Sequence, residues 1–276
     1  MTTLTLGRVL RKARKEPGQE IGISCVNFDN RGFTEVAPDL QSLTNLTHLS
    51  LFDNDFVEIP DLTWKKLIKI RLENNNIQRL DHHDLQGCTA VEELYLDRNS
   101  VEAIGNIGHL LCLRVLSISY QRIPQDLVFS AEFKSLIAPQ LEYFDISGNL
   151  IADREILHLL TSIETLNVRD CGLADQEAFL TMVSNATSMR ELDFRDNPIA
   201  KNRKLKYICV ALRPSMQKIN GEELSENDRI QANGMRTVLS RRRQVTRPVR
   251  HGGVQPLTVQ SSTPPYTIER RGRILH

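Results

Sequence analysis

Leu46-Thr-His-Leu49-Ser-Leu51-Phe-Asp-Asn54 and Val91-Glu-Glu-Leu94-Tyr-Leu96-Asp-Arg-Asn99 share one spacing, with apolar residues at positions 1, 4 and 6 and asparagine at position 9. The spacing recurs from Ile23 to Ile199, with first positions at Ile23, Leu46, Leu67, Val91, Leu113, Leu141, Ile163 and Met189. The steps between these positions are 23, 21, 24, 22, 28, 22 and 26 residues. Positions 4 and 6 fall on one face of an extended segment, because strand side chains alternate. Eight such segments in register describe a stack of similar turns, each burying its apolar edge against its neighbours.

Repeats of this length and spacing define a leucine-rich-repeat solenoid. The expected fold is therefore α/β, a curved stack with parallel strands on its concave face and a cap at each end. Residues 1–22 read as an N-terminal cap helix with a basic segment, 23–199 as eight repeats, 200–224 as a C-terminal cap, and 225–276 as a basic, largely disordered tail. Leu4, Leu6, Val9 and Leu10 have helical spacing and suit the first cap. Leu205, Ile208 and Leu212 give the second cap a helix with one apolar side, stopped by Pro214 and followed by a turn at Gly221.

Position 9 turns the chain after each strand, and a buried amide there satisfies backbone groups of adjacent turns. Asn54, Asn75, Asn99, Asn149 and Asn197 occupy it, and Cys171 is a small substitute. Arg31 and Gln121 fit it less well, so their turns are expected to be the least regular. The long step after Leu113 holds an insertion that must bulge on the turn side or lengthen the convex side.

Positions 3, 5, 7 and 8 project toward the concavity. Aromatic residues make up only 5% of the chain, yet Phe52, Tyr95, Tyr120 and Tyr143 all fall in these columns. Glu73, Asp97 and Asp145 stand among them. Aromatic side chains beside carboxylates have the composition of a protein-binding hot spot. These seven residues are the candidate binding site. The competing reading makes them ordinary solvent-facing residues with packed stems.

A net charge of +1 hides a segregation. Residues 20–224 carry 20 basic and 30 acidic side chains, while the segments before and after them stand at +4 and +7. In the tail, Arg241, Arg242, Arg243, Arg247 and Arg250 lie among Gln, Thr, Pro and Gly, a composition that predicts disorder. An acidic partner is expected for them, whether tubulin, nucleic acid, anionic lipid or this protein's own acidic body; the competing reading is a solvated tail with no fixed partner. Sequence-specific nucleic-acid binding is not expected, since the folded body offers no basic groove.

The opening residues hold no apolar run of signal-peptide length, and no segment approaches the ~20 apolar residues that span a bilayer. Five cysteines are scattered singly, so a reducing cytosolic or nuclear setting is expected. Asn45-Leu46-Thr47 and Asn185-Ala186-Thr187 match glycosylation sequons and read as accidental in that setting. His82-His83-Asp84 has no further ligand at metal-site spacing, and neither a G-x-S-x-G nucleophile turn nor a phosphate-cradling glycine loop occurs. No catalytic residue, metal or cofactor is expected.

The cap carries a more specific resemblance. Asn197-Pro198, Tyr207, Pro214 and Ile219-Asn220-Gly221 with Leu224 resemble the C-terminal cap of the SDS22-like branch of leucine-rich-repeat proteins. Gln121-Arg-Ile-Pro124, the expansion after it, Ile146-Ser-Gly-Asn149, Leu4-Thr-Leu6 and the basic tail are similar to the protein phosphatase 1 regulatory subunit 42 family. That resemblance implies a non-catalytic adaptor for the protein phosphatase 1 catalytic subunit at microtubules, centrosome or cilium. The sequence departs from the usual phosphatase-docking peptide, because Ser24-Cys25 precedes Val26-Asn27-Phe28 in place of a basic residue. Docking is thus expected on the concave face. Two rival readings are a structural component of an axonemal or other cytoskeletal assembly without phosphatase recruitment, and a ribonucleoprotein subunit.

Overall fold

A computed structural model describes residues 2–80, 85–105, 107–151 and 153–245, with side chains through residue 236. Eight three-residue strands stack in parallel: Cys25–Asn27, His48–Ser50, Lys69–Arg71, Glu93–Tyr95, Val115–Ser117, Tyr143–Asp145, Thr165–Asn167 and Glu191–Asp193. Their register aligns position 4 of every repeat, from Val26 through Leu49, Ile70, Leu94, Leu116, Phe144 and Leu166 to Leu192. None of these is more than 3% exposed. Each such side chain contributes about 1.5–3 kcal/mol by leaving water, so the column is the axis of the core.

The chain turns sharply after each strand. Position 8 is left-handed in all eight repeats: Asn30, Asp53, Asn74, Arg98, Tyr120, Gly148, Asp170 and Asp196 have φ between 51° and 70°. Position 9 then enters the core. The Asn99 Oδ1 accepts from the Ile77 N–H at 3.0 Å, and its Nδ2 donates to the Leu72 and Leu96 carbonyls at 2.9 Å. Asn54, Asn75, Asn149 and Asn197 make equivalent bonds, tying each turn to the one before it.

One expectation about this row is corrected. Gln121 does not disturb its turn. Its extra methylene still brings Oε1 to the Val101 N–H and Nε2 to the Leu96 carbonyl, both at 2.9 Å. Arg31 is exposed, and Asn54 supplies the acceptor for the N–H groups of Arg31 and Phe33. The Cys171 Sγ lies 3.3 Å from the Ile146 carbonyl, and burial pushes its thiol up to about 12.

The insertion lengthens the convex side. Val128–Phe129 pairs in parallel with Ala103–Ile104, and a π-helical turn follows at Phe133–Ile137. Phe129 and Phe133 stack at 5.4 Å, and both meet Phe144 beneath the sixth repeat strand, at 6.3 and 6.2 Å.

At the N-terminus, Thr3–Leu4 pairs with Glu35–Val36, and helix α1 (Leu6–Ala13) buries Val9 and Leu10. Leu4 is thus strand rather than helix. On the convex side of later repeats lie α2 (Glu155–Leu159) and α3 (Gln176–Asn185), the second capped by Asp175. Helix α4 (Leu205–Leu212) closes the stack. After it Lys218–Ile219 joins the sheet, and a turn with φ of 56° at Asn220 and 81° at Gly221 reverses the chain into Glu222–Glu223.

The structure differs from the sequence reading beyond residue 225. Residues Glu226–Val245 form helix α5, not the start of a disordered tail. Ser225 and Asp228 cap it reciprocally, the Ser225 N–H donating to Asp228 Oδ2 at 3.0 Å and the Asp228 N–H to Ser225 Oγ at 3.2 Å. Lys206 of α4 reaches Asp228 at 3.0 Å, and Ala232 is buried. The charged composition of the whole segment masked this local signal.

Candidate functional site

The concave surface follows from strand alternation, since positions 3 and 5 face away from the core. Position 5 forms one registered row, Asn27, Ser50, Arg71, Tyr95, Ser117, Asp145, Asn167 and Asp193. At its centre, Val115 and Ser117 lie between Glu93 and Tyr95 on one side and Tyr143 and Asp145 on the other. Neighbouring strands are ~4.8 Å apart, so small Ser117 makes a notch between two larger neighbours.

Of the seven residues named from the sequence, Tyr95, Asp97, Tyr143 and Asp145 gather at this notch, with Glu73 at its edge. Tyr95 donates to Glu93 Oε2 at 2.9 Å, while Lys69 lies over its ring at 4.9 Å and bridges Glu93 at 2.7 Å. Burial pushes the phenols of Tyr95 and Tyr143 up to about 12, helped by nearby carboxylates. Phe52 sits apart, its ring 5.5 Å beneath the Arg71 guanidinium. Tyr120 lies at the turn edge, 43% exposed.

The acids do not project freely as the column pattern suggested. Asp97 Oδ1 accepts from Ser117 Oγ, Ser119 N and Ser119 Oγ, each at 2.7 Å. Asp145 accepts from the Ser147 N–H at 2.9 Å, from Ser147 Oγ at 2.6 Å and from Asn167 Nδ2 at 2.8 Å. Glu73 is only 9% exposed. Its Oε1 meets Arg71 at 2.9 Å, while its Oε2 is buried without a hydrogen-bond partner among the described residues. Asp97 and Asp145 are drawn inward because the Ser119 and Ser147 N–H groups, where strand gives way to turn, need acceptors. Burial holds the carboxyls of Glu73 and Asp145 above their ordinary range despite these bonds. For Glu93 burial works in the same direction, but donors from Lys69 and Tyr95 win and lower it.

Sequence reasoning missed Lys69, Arg71 and Glu93, which wrap the aromatic rings. It also left Arg98 and Arg122, which line a cleft with Tyr120, out of the candidate site. The signal lay in the columns themselves, where a cation two residues or one strand from an acid predicts a pair.

The docking-like segment is closed off, since Val26 in the first repeat strand and Phe28 just after it are both buried. Of the tail residues, Arg241, Arg242 and Arg243 belong to α5, with side chains outside the described residues. Arg247, Arg250 and His82-His83-Asp84 lie outside the described residues altogether. Among the described residues no cluster of three potential ligands suits a metal ion, and no helix is long and apolar enough to cross a membrane.

The leucine rich repeat family model matches residues 44–101, which hold the second, third and fourth repeat strands. Among solved structures, internalin C2 from Listeria monocytogenes str. 4b F2365 is similar with a TM-score of 0.53, across 70% of this chain and 83% of that one. The fold is a leucine-rich-repeat solenoid. At 21% identity that likeness concerns the fold alone. Nephrocan of Mus musculus is 31% identical over 133 residues, which are 47% of this chain and 25% of that protein. The chain thus spans about a quarter of the length of that curated relative.

Proposed function

We propose that this chain is a non-catalytic protein-binding adaptor whose concave face grips a partner surface rich in lysine and arginine. The observation that carries this reading is the central notch, where the Val115–Ser117 strand separates Tyr95 from Tyr143 and Asp145, with Asp97 and Glu73 at its edge. Two large rings in fixed positions offer contact area at low entropic cost, and the carboxylates favour a cationic guest. Charge of this sign speeds encounter more than it tightens the complex. Raised cysteine thiols at Cys88, Cys171 and Cys209, all caused by burial, suit packing rather than nucleophilic chemistry.

The resemblance to the SDS22-like branch and the regulatory subunit 42 family makes a protein phosphatase 1 catalytic subunit the proposed partner. In this reading Arg241, Arg242 and Arg243 of α5, with Arg247 and Arg250 after it, hold the pair to tubulin, at the centrosome, cytoplasmic microtubules or cilium. Affinity capture of the full chain from ciliated cells, beside a Tyr95→Ala/Tyr143→Ala variant, tests it. The phosphatase is expected with the wild type and absent from the variant. Capture by both sinks the concave-face reading. Axonemal proteins without phosphatase favour a structural component, and nuclease-sensitive sedimentation favours a ribonucleoprotein subunit.

A further inference from the structure

Position 8 of every repeat is left-handed, a conformation that crowds the Cβ of most residues and suits glycine, asparagine and aspartate. Six turns comply, with Asn30, Asp53, Asn74, Gly148, Asp170 and Asp196. Two consecutive turns do not: Arg98 has φ of 56° and Tyr120 has φ of 51°. Backbone strain persists where the side chain it carries is needed. These two side chains meet in one open cleft of about 350 Å³, which Asn74 and Arg122 complete.

The cleft is built rather than incidental. Arg122 donates through Nε and Nη2 to the Arg98 carbonyl, and through Nη2 to the Asn75 carbonyl at 2.6 Å. These bonds fix its guanidinium and leave Nη1 without a hydrogen bond among the described residues. The Tyr120 ring lies flat against Gly148, where a Cβ would overlap it. Asp53, next along the row, is held by the Asn74 amide.

Charge gives the cleft its chemistry. On the concave strands and the turns beside them Lys69, Arg71, Arg169, Arg195 and Lys218 each bridge an acid, at 2.7, 2.9, 2.6, 2.5 and 3.0 Å. Among the described residues neither Arg98 nor Arg122 has a carboxylate within 4.0 Å. An otherwise acidic body thus presents two unneutralised guanidinium groups side by side, next to an exposed ring.

We propose that this cleft is a docking site for a phosphate or carboxylate group carried on a peptide. Arg98 offers its planar fork to two oxygens, Arg122 adds a donor through Nη1, and Tyr120 walls the peptide beside the group. The site stands on the turn edge, apart from the concave notch, and does not depend on what the notch binds.

The test uses the full chain and three labelled glycine-alanine dodecamers with a central phosphoserine, glutamate or serine, read by fluorescence anisotropy. The phosphoserine peptide is expected to bind at least tenfold more tightly than the serine peptide. Arg98→Asn and Tyr120→Asn each abolish that preference while holding or raising the unfolding temperature, because asparagine suits the turn. Glutamate binding as well as phosphoserine assigns the site to acidic side chains, and glutamate binding as weakly as serine assigns it to phosphorylated ones. Equal affinity for all three peptides overturns the proposal. So does a preference that survives Arg98→Asn, or one lost only when Arg241, Arg242 and Arg243 are changed to Gln.

Discussion

Two polar rows run the length of this solenoid, and they are finished in opposite ways. The position-9 row at Asn54, Asn75, Asn99, Gln121, Asn149 and Asn197 is buried, and its bonds run to backbone groups of its own and adjacent turns. The concave row leaves something over. Among the described residues Glu73 keeps one oxygen unpartnered, the three donors to Asp97 all crowd onto Oδ1, and Tyr95 and Tyr143 stay half-exposed. A row that is fully satisfied has nothing to offer a partner, so its substitutions should register as stability. A row with capacity left over should register them as binding.

The largest effect expected is therefore at Asn99. Asn99→Ala strips an acceptor from Ile77 N and donors from two buried carbonyls. At 1–3 kcal/mol per buried group left unpaired, partly relieved by relaxation, the loss is about 3 kcal/mol by chemical denaturation. Asp97→Asn, two residues earlier and on the concave row, should cost under ~1 kcal/mol. Equal costs would erase the distinction between the rows.

Next comes the notch. Tyr95→Ala with Tyr143→Ala should weaken binding of the captured partner by about 2 kcal/mol, roughly thirtyfold. The same variant should change the unfolding midpoint less than Asn99→Ala does. A variant that binds normally but unfolds easily would show that these rings serve packing.

Cys171 is the weak member of the buried row, because its thiol offers no acceptor like the Asn99 Oδ1 that takes the Ile77 N–H. Cys171→Asn should stabilise the fold by about 1 kcal/mol, measured by denaturant midpoint. A loss instead would mean that the neighbouring turn has closed around the smaller side chain.

Much of this contrast was legible beforehand. The period fixes which residues enter the core, and Leu49/Leu51 and Leu94/Leu96 enter it as their spacing requires. Strand alternation likewise sets Tyr95, Ser117 and Asp145 in one row. Spacing says nothing of how far a side chain reaches, so Gln121 read as a defect although one methylene lets it serve. It is equally silent on pairing, which is why Glu73 read as a projecting acid and is found turned back onto Arg71. Ser225-x-x-Asp228 was a readable helix start, obscured by the arginines that follow it. Left-handed position 8 was readable too, from its run of Asn, Asp and Gly. Only against that rule do Arg98 and Tyr120 become exceptions.

The smallest effect separates the rows by their response to pH. Burial raises the Glu73 carboxyl above the 4.5 it has in an open chain, so the folded state holds its proton more tightly than the unfolded state does. A carboxyl of this kind contributes most to stability below 4.5 and loses that contribution as pH rises through its folded value. Glu93 runs the other way, its carboxyl lowered and its contribution present above 4.5 and lost on acidification. In the window just above 4.5, Glu73→Gln should therefore flatten a decline in stability with rising pH that the wild type shows, whereas Asn99→Ala should leave the slope as it is. A cationic guest at the notch would favour the ionised form of Glu73 and Asp145. Partner binding should then tighten with pH across the same window, and the Glu73→Gln variant should show less of that tightening. A partner whose affinity is indifferent to pH in that range does not use these carboxylates, and the concave row would have to bind through its rings alone.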